Sequence, residues 1–302
     1  MRIARSQKRK PKRTDAAIAD VVHRVSAEKL REYVQMLAFP RHYEVDRQAN
    51  IRARDMLLKL LHGFGYKPVL QGAYHNIVVT SSGAEERPYL LLGAHYDSVP
   101  GSPGADDNGS AVAVCLECAR LAKEHDIGST MIVLFNREED GLLGSRQFVA
   151  YLASEPAWTI AEAHIFEMVG FCSHAAGSQR TPPGLPMVAA PDVGDFLGLL
   201  ANRNSNAIAE NLLTLAATYI PQSPVLALKI YLGIEKYFGH LLRSDHTPFW
   251  EAGIASIMWT DTSEFRNPHY HRASDTPDTL DYVFLSQVTK LALARVVSRA
   301  WL

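Results

Sequence analysis

Residues 89–110 run YLLLGAHYDSVPGSPGADDNGS. Tyr89–His95 is a short apolar run rich in β-formers, the pattern of a strand covered on both faces. It ends on His95, and Asp97 follows two residues later. A turn rich in Pro, Gly and Ser comes next, and Asp106 and Asp107 then lead into a helical pattern over 109–124. Strand, polar loop and helix together make the unit from which parallel sheets are assembled.

Outward from this stretch the same unit recurs. Asn76–Thr80 is a second strand, parted from the first by the turn signal Ser81-Ser82-Gly83. Amphipathic helices are expected over 26–38 and 45–64, the latter with Leu57, Leu58, Leu60 and Leu61 on one broad face. Towards the C-terminus, Thr130–Phe135 and Ala163–Val169 read as strands, with a helix over 142–153 between them. Met187–Ala190 and Ala255–Thr260 add two strands, with helices near 194–216 and 283–300. The fold class expected is α/β, with a mixed, largely parallel central sheet flanked by helices on both faces. Ligands bind such sheets at the carboxyl ends of the strands, so charged residues should follow each apolar run.

They do. MIVLFNREEDGLLGS carries Glu138 and Glu139, and HIFEMVG carries Glu167. Near the C-terminus RSDHTPFW holds Asp245 and His246, and FRNPHYHRASDTPDTLDY holds Tyr270 and His271. Each piece alone has a structural explanation: a hydrogen-bonded histidine at a strand end, an Asp-Asp-Asn-Gly helix cap, a solvated acidic loop. Together they place acids after three successive buried strands, with histidines on two other segments. Converging carboxylates in a crevice cost several kcal/mol each unless cations compensate. Carboxylate and imidazole donors without thiolates suit zinc, manganese or cobalt.

Composition sets the remaining bounds. The chain has 302 residues, 47% hydrophobic and 21% charged, which is a globular composition. Residues 1–14 hold seven basic side chains and no acid, whereas the rest carries 24 basic against 32 acidic residues. The first 14 residues are expected to be a basic, disordered tail and 15–302 a single catalytic domain. The acidic remainder disfavours nucleic acid as a partner. No secretory h-region and no apolar run of membrane-spanning length is seen, so a cytoplasmic location and no membrane contact are expected. Cys115 and Cys118 share an apolar helical context rather than a zinc-finger one.

In order along the chain, GAHYDS, PGADDNGS, EEDGLLGS, EMVG and YHRASDTPDTL resemble the motifs of the co-catalytic zinc aminopeptidases, peptidase family M28. The resemblance runs from about residue 30 to the end. It implies a zinc-exopeptidase fold of the phosphorylase/hydrolase-like type. It implies two divalent ions, with zinc expected, held by His95, Asp107, Glu139, Glu167 and His271. Asp107 corresponds to the carboxylate shared by both ions, Glu139 to the partner of His95, and Glu167 to the partner of His271. Glu138 corresponds to the general base and Tyr270 to a tyrosine that steadies the transition state. Asp97 corresponds to the carboxylate that orients His95. Asp106 corresponds to the residue before the shared aspartate, where the family often has a cis peptide. Asp245 and His246 fall behind the ligands. One position departs: Glu167 stands where the best-known members have aspartate.

Asp107, Glu139 and Glu167 supply three negative charges, which two divalent ions and one bridging hydroxide balance and one ion does not. The expected reaction is hydrolysis of the N-terminal peptide bond of a substrate with a free terminus. Met168, Met258, Trp259, Phe265 and Arg266 lie beside the motifs and are candidates for the substrate pocket. Carboxypeptidase action, a glutaminyl cyclase-like reaction and a non-catalytic metal-binding scaffold are the alternatives.

Overall fold

The computed structural model describes residues 1–81, 88–184 and 191–301. In chain order the strands are Arg2–Arg5 (β1), Val69–Gln71 (β2), Asn76–Thr80 (β3), Tyr89–His95 (β4), Thr130–Phe135 (β5), Ile160–Phe166 (β6), Leu197–Ala201 (β7), Val225–Lys229 (β8) and Ser256–Thr260 (β9). The α-helices are Ala16–His23 (α1), Ala27–Leu37 (α2), Arg47–Gly63 (α3), Ala111–Glu124 (α4), Leu143–Leu152 (α5), Asn206–Tyr219 (α6), His246–Glu251 (α7) and Tyr282–Trp301 (α8). Among the described residues three of them start on side-chain caps, Asp281 accepting from the N–H groups of Val283 and Phe284 at the head of α8. Asp15 accepts from the N–H groups of Ala17 and Ile18, and the Ser26 hydroxyl accepts from Lys29.

The strands form one mixed sheet in the order β1-β8-β7-β9-β6-β4-β5-β3-β2. The central run β9-β6-β4-β5 is parallel. β3 and β2 add an antiparallel margin on one side. On the other, the parallel pair β7–β8 joins β9 antiparallel, and β1 joins β8 antiparallel.

Period two along β4 sends its side chains alternately into two cores. Leu90, Leu92 and Ala94 join the larger cluster, together with apolar residues of α1, α2, α4, α6 and α8. Tyr89 and Leu91 join the second, which Phe148 of α5 and Phe249 of α7 complete. Each fully buried side chain of that size contributes roughly 1.5–3 kcal/mol. With both faces covered, the strand ends are the open places on the central sheet. Among the described residues no helix is long and apolar enough to cross a membrane.

Several elements differ from the sequence reading. The basic segment is no disordered tail: Arg2–Arg5 is an edge strand, Lys12 N–H donates to Thr218 Oγ1 at 3.0 Å, and Arg9 pairs with Glu210. Composition reports side chains, whereas the open edge of β8 offers backbone hydrogen bonds that a four-residue strand satisfies. The helix expected near 194–216 begins only at Asn206, because Leu197–Ala201 is strand. A short leucine run suits either state, and its neighbours in the sheet decide. β6 ends at Phe166 rather than Val169, so Glu167 lies just beyond the strand. The strand expected at Met187–Ala190 falls outside the described residues.

Candidate metal centre

Three central strand ends, the turn before α4 and the loop after β9 deliver the polar residues. His95 is the last residue of β4, and Glu138 and Glu139 follow β5 across Asn136 and Arg137. Glu167 follows β6. Asp107 stands in the turn Ala105–Ser110 before α4, where its φ/ψ are non-helical and the Asp107–Asn108 peptide is cis. The cis bond thus follows Asp107, one residue later than the sequence reading placed it. His271 sits on the loop after β9 with φ +58°.

Two groups of donor atoms share Asp107. His95, Asp107 and Glu167 form one, and Asp107, Glu139 and His271 form the other, each with its atoms within 4.8 Å of one another. His95 Nε2 lies 3.4 Å from Asp107 Oδ1 and 3.5 Å from Glu167 Oε2. His271 Nε2 lies 3.2 Å from Asp107 Oδ2 and 3.5 Å from Glu139 Oε2. By these distances Glu167 goes with His95 and Glu139 with His271, the reverse of the expected pairing; His95, Glu138 and Glu139 form a further group that keeps Glu139 within reach of His95 as well. Strand order alone does not decide this, since β4 lies between β6 and β5 and has both Glu167 and Glu139 at its end. Glu138 also reaches the first group, 3.8 Å from His95 Nε2.

These groups leave polar atoms unpaired. Both ring nitrogens of His95, Asp107 Oδ1 and Glu139 Oε1 are buried without a hydrogen-bond partner. Such atoms normally find one, so the cluster is built for something that accepts N and O donors. The electrostatics agree. Burial, with Glu167 and Glu139 adding to it, pushes the Glu138 carboxyl well above the carboxylate range. Burial and the Asp107 charge carry Glu139 up to about 7. Burial works against the charged form of His271, but Asp107 and Glu139 outweigh it and lift the imidazole to about 10. Nitrogen and oxygen donors without thiolate fit zinc, manganese or cobalt.

Further residues hold this cluster in place. The Asp97 carboxylate accepts the N–H groups of Glu138 and Glu139 at 3.2 and 3.3 Å and lies 3.4 Å from His95 Nδ1. Ser244 donates to Glu167 Oε2 at 2.7 Å. Asp106 touches none of the donor atoms; it accepts from Gly170 N–H and Asn267 and so ties two loops together. Asp245 is buried, and burial pushes its carboxyl up to about 7. His246 turns elsewhere: its Nε2 faces the Leu241 carbonyl at 2.9 Å and its ring stands edge-on to Trp250. Burial takes that imidazole down to about 4.

Sequence reasoning missed three contributors. Ser244 lies inside RSDHTPFW but carries no charge to mark it. Asp275 reads as a turn residue, yet its carboxylate accepts from the N–H groups of Asp106 and Asp107. Arg41 is fully buried and donates to the carbonyls of Leu37, Phe39, Tyr96, Pro103 and Gly104, bracing the loop between His95 and Asp107. No sequence signal distinguishes Arg41 from a surface arginine.

A cavity of about 520 Å³ opens over the cluster. Asp107, Glu138, Glu139, Glu167, Tyr270 and His271 line one end, and Met258 and Phe265 are in its wall. The other pocket candidates lie elsewhere. Met168 and Trp259 are core residues, the indole N–H of Trp259 donating to His164. Arg266 is buried against Gln179 and the Phe196 ring. Long side chains next to a motif in sequence point away from it when the strand alternates.

A mixed α/β sheet whose strand ends gather carboxylates and imidazoles around unpaired donor atoms defines a metallohydrolase. The chain belongs to Peptidase family M28, whose profile matches residues 76–193 and 198–296. It is 33% identical to YfbL of Escherichia coli over 237 residues, 73% of this chain and 70% of that protein. It superimposes on LapA of Legionella pneumophila with a TM-score of 0.76 at 18% identity, covering 97% of this chain and 79% of that one. It is also similar to a zinc aminopeptidase from Bacillus subtilis, at 28% identity and a TM-score of 0.57, over 74% of this chain and 50% of the other. The chain thus spans half the length of the Bacillus enzyme.

Proposed function

We propose that this peptidase is an aminopeptidase dependent on two zinc ions. The observation that carries the reading is the pair of donor groups sharing Asp107, with buried unpaired atoms at their centre. His95, Asp107 and Glu167 would hold one ion, and Asp107, Glu139 and His271 the other. When bound there, such ions supply Lewis acidity and lower the pKa of water towards neutrality.

The chain's own residues supply the rest. Glu138 lies beside the first group without belonging to the shared set, and its raised pKa suits a base that takes a proton from water and returns it to the leaving amine. Tyr270 stacks on His271 with ring centroids 3.7 Å apart, and its hydroxyl accepts from Arg243 Nη2 at 2.9 Å. A guanidinium can only donate, so the tyrosine keeps its own proton for a substrate carbonyl oxygen as negative charge develops there.

The choice of substrate end rests on charge. Two divalent ions would neutralise Asp107, Glu139 and Glu167, leaving Glu138 as the carboxylate that faces a free ammonium. Both arginines in the wall are already engaged, Arg146 with Glu251 and Arg243 with Glu264. Arg266, the other cation beside the motifs, lies outside the wall.

The test is a panel of aminoacyl chromogenic peptides with metal analysis of the same sample. Cleavage of free-amine substrates but not their N-acetylated forms, two zinc ions per chain, and loss of activity with a chelator restored by zinc are expected. Release from the carboxyl end of N-blocked peptides, or ring closure of glutaminyl peptides with one zinc, would replace this reading with one of its rivals.

A further inference from the structure

Beyond β9, α6 and α8 pack on one face of the sheet, and on the other the segment after β8, with Ile230, Leu241 and Trp250, packs over part of Leu200 and Leu228. Ala4, Leu197, Leu199, Val225 and Ala227 belong to the larger core, with apolar residues of α6 and α8. On the opposite face the strand register draws four side chains into a line. Ile3 stands opposite Leu228, Leu228 opposite Leu200, and Leu200 opposite Met258. All four line the same cavity as Glu138 and His271. Neighbouring strands lie ~4.8 Å apart, so this apolar line runs roughly 14 Å from the metal end towards the edge of the sheet. Beside it Gly198 keeps the floor low; a β-carbon there would stand 3.2 Å from the Thr260 carbonyl oxygen.

We propose that this line is a subsite for an extended aliphatic group on the carbon next to the scissile carbonyl, and that Ile3 sets its far limit. The proposal rests on the aminopeptidase reading. Length decides the class of substrate: a leucine side chain spans about one inter-strand spacing, whereas this floor spans three. Its character decides the chemistry, because four apolar side chains in a row offer no partner to a polar group. Ile3 lies outside the residues that match the family profile.

The test uses p-nitroanilides of α-amino acids whose linear side chains grow from about one to eight carbons. Each methylene buried should raise kcat/KM by up to about fourfold. The wild-type profile should keep rising beyond four carbons. Ile3→Trp should lower the ratio of longest to shortest substrate at least tenfold, and Leu228→Phe should end the rise at a shorter chain. Arg2→Ala, on the opposite face of β1, should reproduce the wild-type profile. Thermal melting checks that each variant is folded. Calorimetric binding of linear primary amines reads the same length limit without turnover. A wild-type maximum at four carbons or fewer, or an Ile3→Trp profile that overlays the wild type, overturns the subsite. If no anilide is cleaved while long amines still bind with the expected limit, the aminopeptidase reading fails and the apolar subsite stands.

Discussion

Asp275 grips Asp107 through the backbone: its two carboxylate oxygens accept the N–H groups of Asp106 and Asp107, at 2.9 and 3.1 Å. The residue shared by both donor groups is thereby fixed by a partner 168 positions away. Asp275→Asn turns one of those acceptors into an N–H donor facing a donor. Zinc affinity should fall by about 10–100-fold, the usual cost of losing an outer partner of a metal ligand. Competition against a chromogenic chelator measures it, and an unchanged dissociation constant would remove Asp275 from this role.

Glu138→Gln keeps the size and most of the packing of the side chain but cannot hold a proton between water and amine. Turnover should drop by about 10²–10⁴-fold while zinc content stays at the wild-type level. Near-normal turnover with full zinc would assign the base to another residue.

Glu167 and His271 belong to different donor groups, so removing each should cost a different ion. Glu167→Ala and His271→Ala should each retain one zinc per chain after dialysis, and the double variant neither. If both single variants keep two, the donor groups are not the binding sites.

Arg41 satisfies five carbonyls from a fully buried position. Arg41→Met leaves those acceptors without their donor, and the folded state should lose about 3–5 kcal/mol. Arg41→Lys recovers only part, since an ammonium cannot fork across the same set. Urea denaturation of all three proteins gives the comparison, and a loss below about 1 kcal/mol for the methionine variant would count against this account.

Glu162 on β6 pairs with Arg295 of α8 at 2.6 Å. Burial pushes its carboxyl up, but hydrogen bonds from His164 and Arg295 outweigh this and hold it down at about 2. A folded-state pKa below the unfolded value means the stabilisation is complete above about pH 4.5 and is lost as pH falls towards 2. Its size is on the order of 3 kcal/mol. The stability gap between wild type and Glu162→Gln, measured by urea melts, should therefore narrow across that acid window. A gap constant from pH 7 to pH 2.5 would show that the carboxylate charge contributes nothing.

The sheet centre and the residue types of the candidate site are legible in the sequence because both follow from local pattern: buried runs ending in acids and histidines. What joins to what is not local. That His95, Glu139 and Glu167 meet at one end of the sheet depends on β4 lying between β5 and β6, which no spacing reveals. Arg41 and Asp275 work through backbone groups remote in sequence, and an arginine or aspartate in a turn looks the same whether or not such groups await it. Composition misread residues 1–14 for a related reason, because it registers charges and not the backbone of an unfilled sheet edge. Trp259 and Met168 show the converse: both adjoin a motif in sequence, yet both are fully buried and neither lines its cavity.

The first strand carries a consequence for how the molecule is assembled. Ser6, just after β1, accepts the N–H of Val225 at the start of β8, 219 positions later. During synthesis the opening segment emerges long before the edge it must join, so it waits unpaired while the parallel centre forms around β4, β5 and β6. The cavity wall at Ile3 is accordingly among the last parts to close, and a nascent chain halted before Val225 would have the beginnings of a metal cluster but no boundary to the space beside it.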